Sequence, residues 1–399
     1  MATNLGVTLA DPALPPDVFE EMERLNAEAA PLHIWLRTRA NQPQKKPWHL
    51  GEAETPQPIP ADADTVRPPP PVYKPAPHLW KWKEIEPYLH RIAEIAPLEF
   101  TERQQFLLVN PGCGGALQVT NTIRVAVSIY KPGDQAVTHR HTPNASRTIL
   151  SDAGGYTTVE DEICKAGRGD LILTPNGTWH GHGNNDDAPV IWMDVLDWPV
   201  LERLDCIWLE EEDEAKAANA PAPSPDWSGR HYGAGGMVPA RRDHRRGIGQ
   251  GNSPMFHFKG PDIQSMLEGM SGEEGDPYDG IAIEFTNPVD GAAPFTTLGY
   301  GAQLLRPGEA TQASRASAGM LYCCIEGSGV TEIAGTEYAW EKNDIFVVPN
   351  HLWHRHINGS ARENAILYTI SDRPLLEKIG HYRRQGKTAT GAVIDLTND

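Results

Sequence analysis

One pattern occurs twice in this chain of 399 residues. The strings "YKPGDQAVTHRHTPNAS" (130–146) and "GRGDLILTPNGTWHGHGN" (167–184) return in outline as "LRPGEATQASRASAGML" (305–321) and "EKNDIFVVPNHLWHRHIN" (341–358). Each copy opens on proline, glycine and an acid, and in each an asparagine follows W-H-x-H. Solenoid repeats recur every 20–50 residues or so, whereas these copies lie roughly 175 apart, so the chain carries a duplicated domain.

The segments around both copies have strand texture. From about 100 to 205 run "QVTNTIRVAVSIY", "ASRTILS", "GYTTVEDEICKA", "DLILTP" and "APVIWMDVLD", separated by Gly, Asp, Asn and Pro turns. Short strands at that spacing predict an all-β barrel or sandwich, and the texture returns from 280 to 372. Upstream, residues 1–55 read as short helices, the best being "DVFEEMERLNAEAAPLHIWLRTRA", whose Leu25, Ala29 and Leu32 keep near-helical spacing until Pro31 disturbs it. The proline-rich "TPQPIPADADTVRPPPPVYKPAPH" predicts an extended strap, and "WKEIEPYLHRIAEIAP" a second helix. The expected organisation is a helical and proline-rich arm (1–99), a first barrel (100–209), a charged Ala/Pro/Gly-rich connector (210–279), a second barrel (280–375) and a tail (376–399).

Hydrophobic residues at 39% and charged residues at 22% suffice for a sizeable core. A formal charge of −18 and a pI near 5.3 disfavour nucleic acid and anionic membranes, although a small anion can enter a locally basic pocket. No apolar run approaches the roughly 18 residues of a membrane span. The acidic, proline-interrupted N-terminus is unlike a secretory or transit peptide. Five cysteines form no CxxC, and Cys323 and Cys324 are adjacent, an awkward geometry for a disulfide; a reducing cytoplasm is the expected location. The run "RRDHRR" (241–246) is expected to be a solvated loop or a subunit contact.

Chemistry concentrates in the first copy. On a strand, His139 and His141 point to the same face. If that face is the barrel interior, His180, after a turn set by Pro175 and Gly177, supplies a third imidazole. Three histidines leave coordination positions open, an arrangement suited to non-haem Fe(II). The plainer expectation is histidines satisfied by hydrogen bonds in a polar cavity. The spacings match the two cupin motifs: Gly133, five residues, His139-x-His141; then Gly169, five residues, Pro175-x-Gly177, His180 and Asn184. Many cupins add a glutamate ligand after the H-x-H, but residues 142–147 contain none. Three neutral imidazoles leave a divalent charge uncompensated, which an anionic, chelating substrate can supply. The second copy has Ser314-x-Ala316 in place of the two histidines, and Asn343 and His351 replace motif glycines. His354 alone cannot hold a metal, so that barrel is expected to be structural or oligomer-forming, with one iron per chain.

The duplicated layout, "HRHTPNASR", "LILTPNGTWHGHGN", "PVIWMDVLDWP", "HLWKWKEIEPYL", "TERQQFLLVNPG" and "NSPMFHFKGPDIQSMLEG" together resemble the gentisate 1,2-dioxygenases, a group that includes salicylate and 1-hydroxy-2-naphthoate dioxygenases. The resemblance spans roughly residues 75–375 and implies a bicupin: two double-stranded β-helix (jelly-roll) barrels behind an N-terminal helical extension. It implies Fe(II), dioxygen as co-substrate, a tetramer, and an ortho-hydroxy aromatic acid opened between its carboxyl- and hydroxyl-bearing carbons. It further implies that Arg147 and Arg103 face the substrate. An inward arginine suits a carboxylate through two charge-assisted hydrogen bonds of roughly 1.5–3 kcal/mol each; the plainer role for either is a surface salt bridge. His182, on the face of His180, is the expected acid/base or hydrogen-bond donor. Asp194 matches a family aspartate that orients a histidine or accepts a substrate proton, against the simpler reading of a solvent-facing strand acid.

The chain departs from the family at several positions. Gly181 stands where the family often has an acid. Arg124, Ala126 and Ser128, alternate residues on one strand face, replace a common tryptophan, glycine and glutamine, and "ALRF" has become "ASRT" with Ser146 and Thr148. A guanidinium in place of an aromatic wall predicts a salicylate bearing an extra polar or anionic group rather than gentisate, unless Arg124 merely pairs with a nearby acid. Gentisate or 1-hydroxy-2-naphthoate is the alternative substrate. Two other classes, a bicupin isomerase or decarboxylase and a non-catalytic cupin binding protein, are disfavoured by the missing glutamate and the intact triad respectively.

Overall fold

A computed structural model describes residues 15–37, 73–96, 98, 103–212, 224–240 and 251–397. Most of the "TPQPIPADADTVRPPPP" strap and the "RRDHRR" run lie outside them. The described chain is predominantly β, with four sheets paired into two barrels. In the first barrel one sheet runs in the order Ile34–Leu36, Gln104–Leu108, Arg124–Tyr130, Val190–Leu196, Ala145–Ile149, Leu171–Thr174 and His257–Phe258. In the second barrel the central order is Ile281–Glu284, Gly299–Leu305, Ala365–Ser371, Met320–Glu326 and Ile345–Val348. Five consecutive strands thus have the same neighbours in both, as duplication requires. The remaining sheet of the first barrel carries His139–His141 beside His180–Gly183, and that of the second carries Ser314–Ala316 beside His354–Ile357.

The arm ties the barrels together. Helix Pro16–Ala29 buries Met22, Leu25, Asn26 and Ala29, and helix Trp82–Ile95 buries Ile85, Leu89, Ile92 and Ala93, an i, i+4, i+7 stripe. Strand Ile34–Leu36 adds to the first barrel against Phe106–Leu108, while His78–Trp80 adds to the second against Ile345–Val347. The region expected to be a connector supplies structure to the first barrel too. Leu209–Glu211 pairs with His139–His141, and His257 and Phe258 pair with Ile172 and Leu171. Composition hid these strands because each is only two or three residues long. One apolar cluster runs from Leu25 and Ile34 through Phe106 to Leu304 and Ile345, across both barrels.

Turn geometry repeats as well. Gly169 and Gly177 adopt φ of 75° and 72°; their counterparts Asn343 and His351 hold 67° and 69° with side chains attached. All five cysteines are free, Cys206 alone exposed. Among the described residues no helix is long and apolar enough to cross a membrane.

Candidate metal centre

His139 and His180 stand directly opposite each other on neighbouring antiparallel strands, with His141 two residues along. Ring centroids lie 4.4 Å apart for His139–His180, 4.7 Å for His141–His180 and 5.6 Å for His139–His141. One ligand nitrogen from each lies within 4.8 Å of the others, and the three residues are buried. Each Nδ1 is 2.9 Å from a backbone carbonyl: Val137 for His139, Pro143 for His141 and Thr178 for His180. A carbonyl only accepts, so the proton sits on Nδ1 and Nε2 keeps its lone pair. That is the state a metal needs, and the carbonyls fix ring orientation as outer-shell partners do. Nε2 of His180 is buried with no hydrogen-bond partner among the described residues. Burial, reinforced by nearby cationic groups, drives all three imidazoles below their ordinary range, His141 to about 3, so they remain neutral at physiological pH. The donor set fits a divalent transition metal with all-imidazole ligation. Among the described residues no other cluster of histidine, cysteine or carboxylate has this geometry.

The pocket over this set has a volume of 40 Å³ and is lined by Arg37, Arg103, Arg124, Ala126 and Asp194, among others. Arg103 is 7% exposed, and its Nη2 contacts Nε2 of His139, so its guanidinium reaches the ligand nitrogens themselves. Arg124 stacks over Trp198 at 4.6 Å, donates to the Leu117 carbonyl at 2.8 Å and lies 4.0 Å from Glu202. Burial lowers it to about 10, leaving it charged at neutral pH. The expected pairing with an acid is therefore the weakest of its contacts. Arg37, from the N-terminal arm, donates to Gln105 at 2.7 Å and was not anticipated: its strand is three residues long, and only its pairing with Phe106–Leu108 brings it here.

Behind the pocket lies a buried polar hub. Arg147 and Asp194 face each other across two strands, their Nε and Oδ1 separated by 3.1 Å, with side chains 1% and 3% exposed. Arg147 also reaches Thr174 at 3.3 Å. Asp194 Oδ2 accepts from Ser128 at 2.7 Å, from the Trp192 indole at 3.0 Å and from Gln105 at 3.3 Å. Asp194 therefore holds an arginine, a serine and an indole, and no hydrogen bond joins it to a histidine. The carboxylate that meets Arg147 is the protein's own. Ser128, expected on the substrate face, is fully buried and turned onto Asp194, while its neighbours Arg124 and Ala126 do line the pocket. His182 is not a member of the triad; its ring lies 5.7 Å from His180, Nδ1 is 3.2 Å from the Thr157 hydroxyl, and Nε2 has no partner among the described residues. A side chain at Gly181 would press on Thr138 Oγ1 at 3.0 Å and Thr158 Oγ1 at 3.2 Å, which accounts for the glycine where an acid was expected.

In the second barrel, Ser314 faces His354 in the register of His139 and His180. The Tyr322 hydroxyl lies 3.1 Å from His354 Nε2 and occupies the lone pair a metal would use.

Comparisons with known proteins agree with this layout. The Cupin domain family model matches residues 126–196. The chain is 35% identical to the 5-aminosalicylate 1,2-dioxygenase of Comamonas sp, over 79% of this chain and 83% of that one. It is 32% identical to gentisate 1,2 dioxygenase 1 of Aquipseudomonas alcaligenes, over 77% and 86%. The crystal structure of salicylate 1,2-dioxygenase from Pseudaminobacter salicylatoxidans superimposes with a TM-score of 0.70 at 27% identity, covering 80% of this chain and 91% of that one.

Proposed function

Because this chain belongs to the family of ring-cleaving 1,2-dioxygenases that includes the gentisate, salicylate and 5-aminosalicylate enzymes, we propose that it opens a substituted salicylate between the carboxyl- and hydroxyl-bearing carbons, using O2 and one Fe(II) held by His139, His141 and His180. The observation that carries the reading is the set of three Nε2 lone pairs, each freed by an Nδ1 hydrogen bond to a carbonyl and unaccompanied by a carboxylate ligand. When bound, iron supplies a template for the acid's carboxylate and hydroxyl and a redox link between ring and dioxygen. A neutral ligand set favours an anionic chelate, because the substrate then provides the missing negative charge.

The chain's own groups divide the remaining work. Arg103, reaching the ligand nitrogens, takes the substrate carboxylate. Arg147, held by Asp194, keeps a fixed positive charge beside the site, and Asp194 and Ser128 fix its position. His182 presents Nε2 for a hydrogen bond or proton at the reacting face. Arg124 and Ala126, with Arg37, form the wall that meets the ring's far substituents. Three guanidinium groups against one aspartate make that wall cationic, which favours a nitro, halo or second acid group on the ring. Steady-state oxygen uptake, measured after anaerobic Fe(II) reconstitution, should give a higher kcat/KM for 5-nitrosalicylate or a carboxysalicylate than for gentisate. A clear preference for gentisate refutes the substrate assignment but not the reaction. Bound metal without oxygen uptake on any hydroxybenzoate would point instead to non-oxidative chemistry. In this reading residues 100–209 form the catalytic barrel, 280–375 the metal-free one, and the chain assembles as a tetramer in a reducing cytoplasm, which sedimentation can check.

A further inference from the structure

The metal-free barrel keeps the pocket that the metal centre occupies in its twin. Tyr322 opposes Thr369 as Arg147 opposes Asp194. Gly301 opposes Thr369 as Ala126 opposes Asp194, and Ala282 opposes Gln303 as Gln105 opposes Ser128. These residues, with Ser314, Ala316 and His354 in the places of the three ligands, line one cavity. Its volume is 280 Å³ against 40 Å³ in the first barrel, because serine, alanine and glycine stand where histidine and arginine stand in the other copy.

The lining selects by charge. Arg384 Nη2 donates to both Asp279 oxygens at 2.8 Å, and Arg373 is paired with Glu284 at 2.9 Å and Glu377 at 2.6 Å. Every arginine in the wall is thus already matched, and the acids outnumber them. An aromatic acid would enter without a counter-charge and lose its hydration, so the first barrel's class of substrate is excluded here. The uncharged groups remain available. Gln303 is 5% exposed, and its Oε1 has no partner among the described residues. The hydroxyls of Ser314, Thr369 and Tyr382 lie along the same wall, and Tyr300, Tyr322 and Phe285 provide ring faces and edges. A cavity of ~150 Å³ holds benzene, so this one admits roughly ten non-hydrogen atoms.

We propose that the second barrel is a binding site for a small neutral ring bearing hydroxyl groups, either an uncharged polyhydric phenol or a cyclic polyol. The hydroxyls satisfy Gln303 and the wall hydroxyls, and the ring lies against the tyrosines.

The test uses the full-length His180→Ala protein, so that the first barrel holds no metal and offers no competing chelation. Saturation-transfer NMR and calorimetry with resorcinol, myo-inositol and, as the anionic control, salicylate read the second barrel alone. One of the two neutral rings should bind saturably at millimolar concentration or below. Adding Ala316→Trp, which fills the cavity, should weaken that binding at least tenfold without moving the thermal midpoint. Which ring binds separates the phenol from the polyol. The proposal is overturned if neither neutral ring saturates, if the filling substitution leaves affinity unchanged, or if salicylate binds the Ala316-dependent site more tightly than both. Should the tryptophan variant not fold, Gln303→Leu carries the same comparison by the same criterion.

Discussion

Arg147 and Asp194 form a charge pair with almost no solvent contact, and the three further donors on Asp194 are what make the burial tolerable. Breaking such a pair from one side leaves an uncompensated buried cation, at a cost of about 3–5 kcal/mol. Asp194→Ala should lower stability by that order in urea denaturation, and Arg147→Met added to it should restore part of the loss; additive losses would mean that the two do not act as a pair. Buried imidazoles set the acid response. Burial lowers His354 and His78 to about 4 from an ordinary value near 6.5. Between those values the unfolded chain binds protons that the fold refuses, so stability is full above about pH 6.5 and falls as pH drops toward 4, by up to roughly 1.4 kcal/mol per pH unit for each ring. Asp197, raised to about 6 by burial, acts in the opposite direction, since the fold holds its proton more tightly than the unfolded chain. The denaturation midpoint should decline from pH 7 to pH 5, with a shallower decline in His354→Gln; an unchanged slope would assign the acid response elsewhere.

At the scale of elements, the two copies separate what a turn requires from what a metal requires. Gly177 sits at φ 72° with its nearest neighbour, the Trp208 ring, 4.0 Å from where a Cβ would stand, so Gly177→Ala meets backbone strain alone. A loss of about 1 kcal/mol is expected, read as a lowered melting midpoint. His351 bears the same strain in the second copy at φ 69°. The motif glycines were legible because their conformation is local. The strands Ile34–Leu36 and Leu209–Glu211 were not, since three residues carry too little periodicity to stand out, and their partners lie far along the chain.

Across the whole molecule, the second barrel reaches the metal centre through one bonded chain. Thr297, just ahead of strand Gly299–Leu305, donates to Asp197 Oδ2 at 2.5 Å. Asp197 accepts from the Asn144 backbone and side chain, each at 2.9 Å, and Asn144 Oδ1 accepts from the Asn176 amide at 2.9 Å. Asn144 follows Pro143, whose carbonyl orients His141, and Asn176 lies two residues before Thr178, whose carbonyl orients His180. Thr297→Val should therefore weaken Co(II) affinity about threefold to tenfold with the fold intact, and Asp197→Asn should weaken it more; affinities equal to the parent chain would show that the carbonyls hold without this support. The duplicated β architecture, the triad and the loss of metal in the second copy were readable from the amino acids alone, because strand alternation and motif spacing are short-range properties of the chain. Only the folded molecule decided that Asp194 meets Arg147 rather than a histidine, that Ser128 turns away from the pocket, that Arg37 enters it, and that the emptied twin site is the larger cavity. Each of those depends on which strands become neighbours, and pairing across tens or hundreds of residues is fixed by packing that no local pattern records.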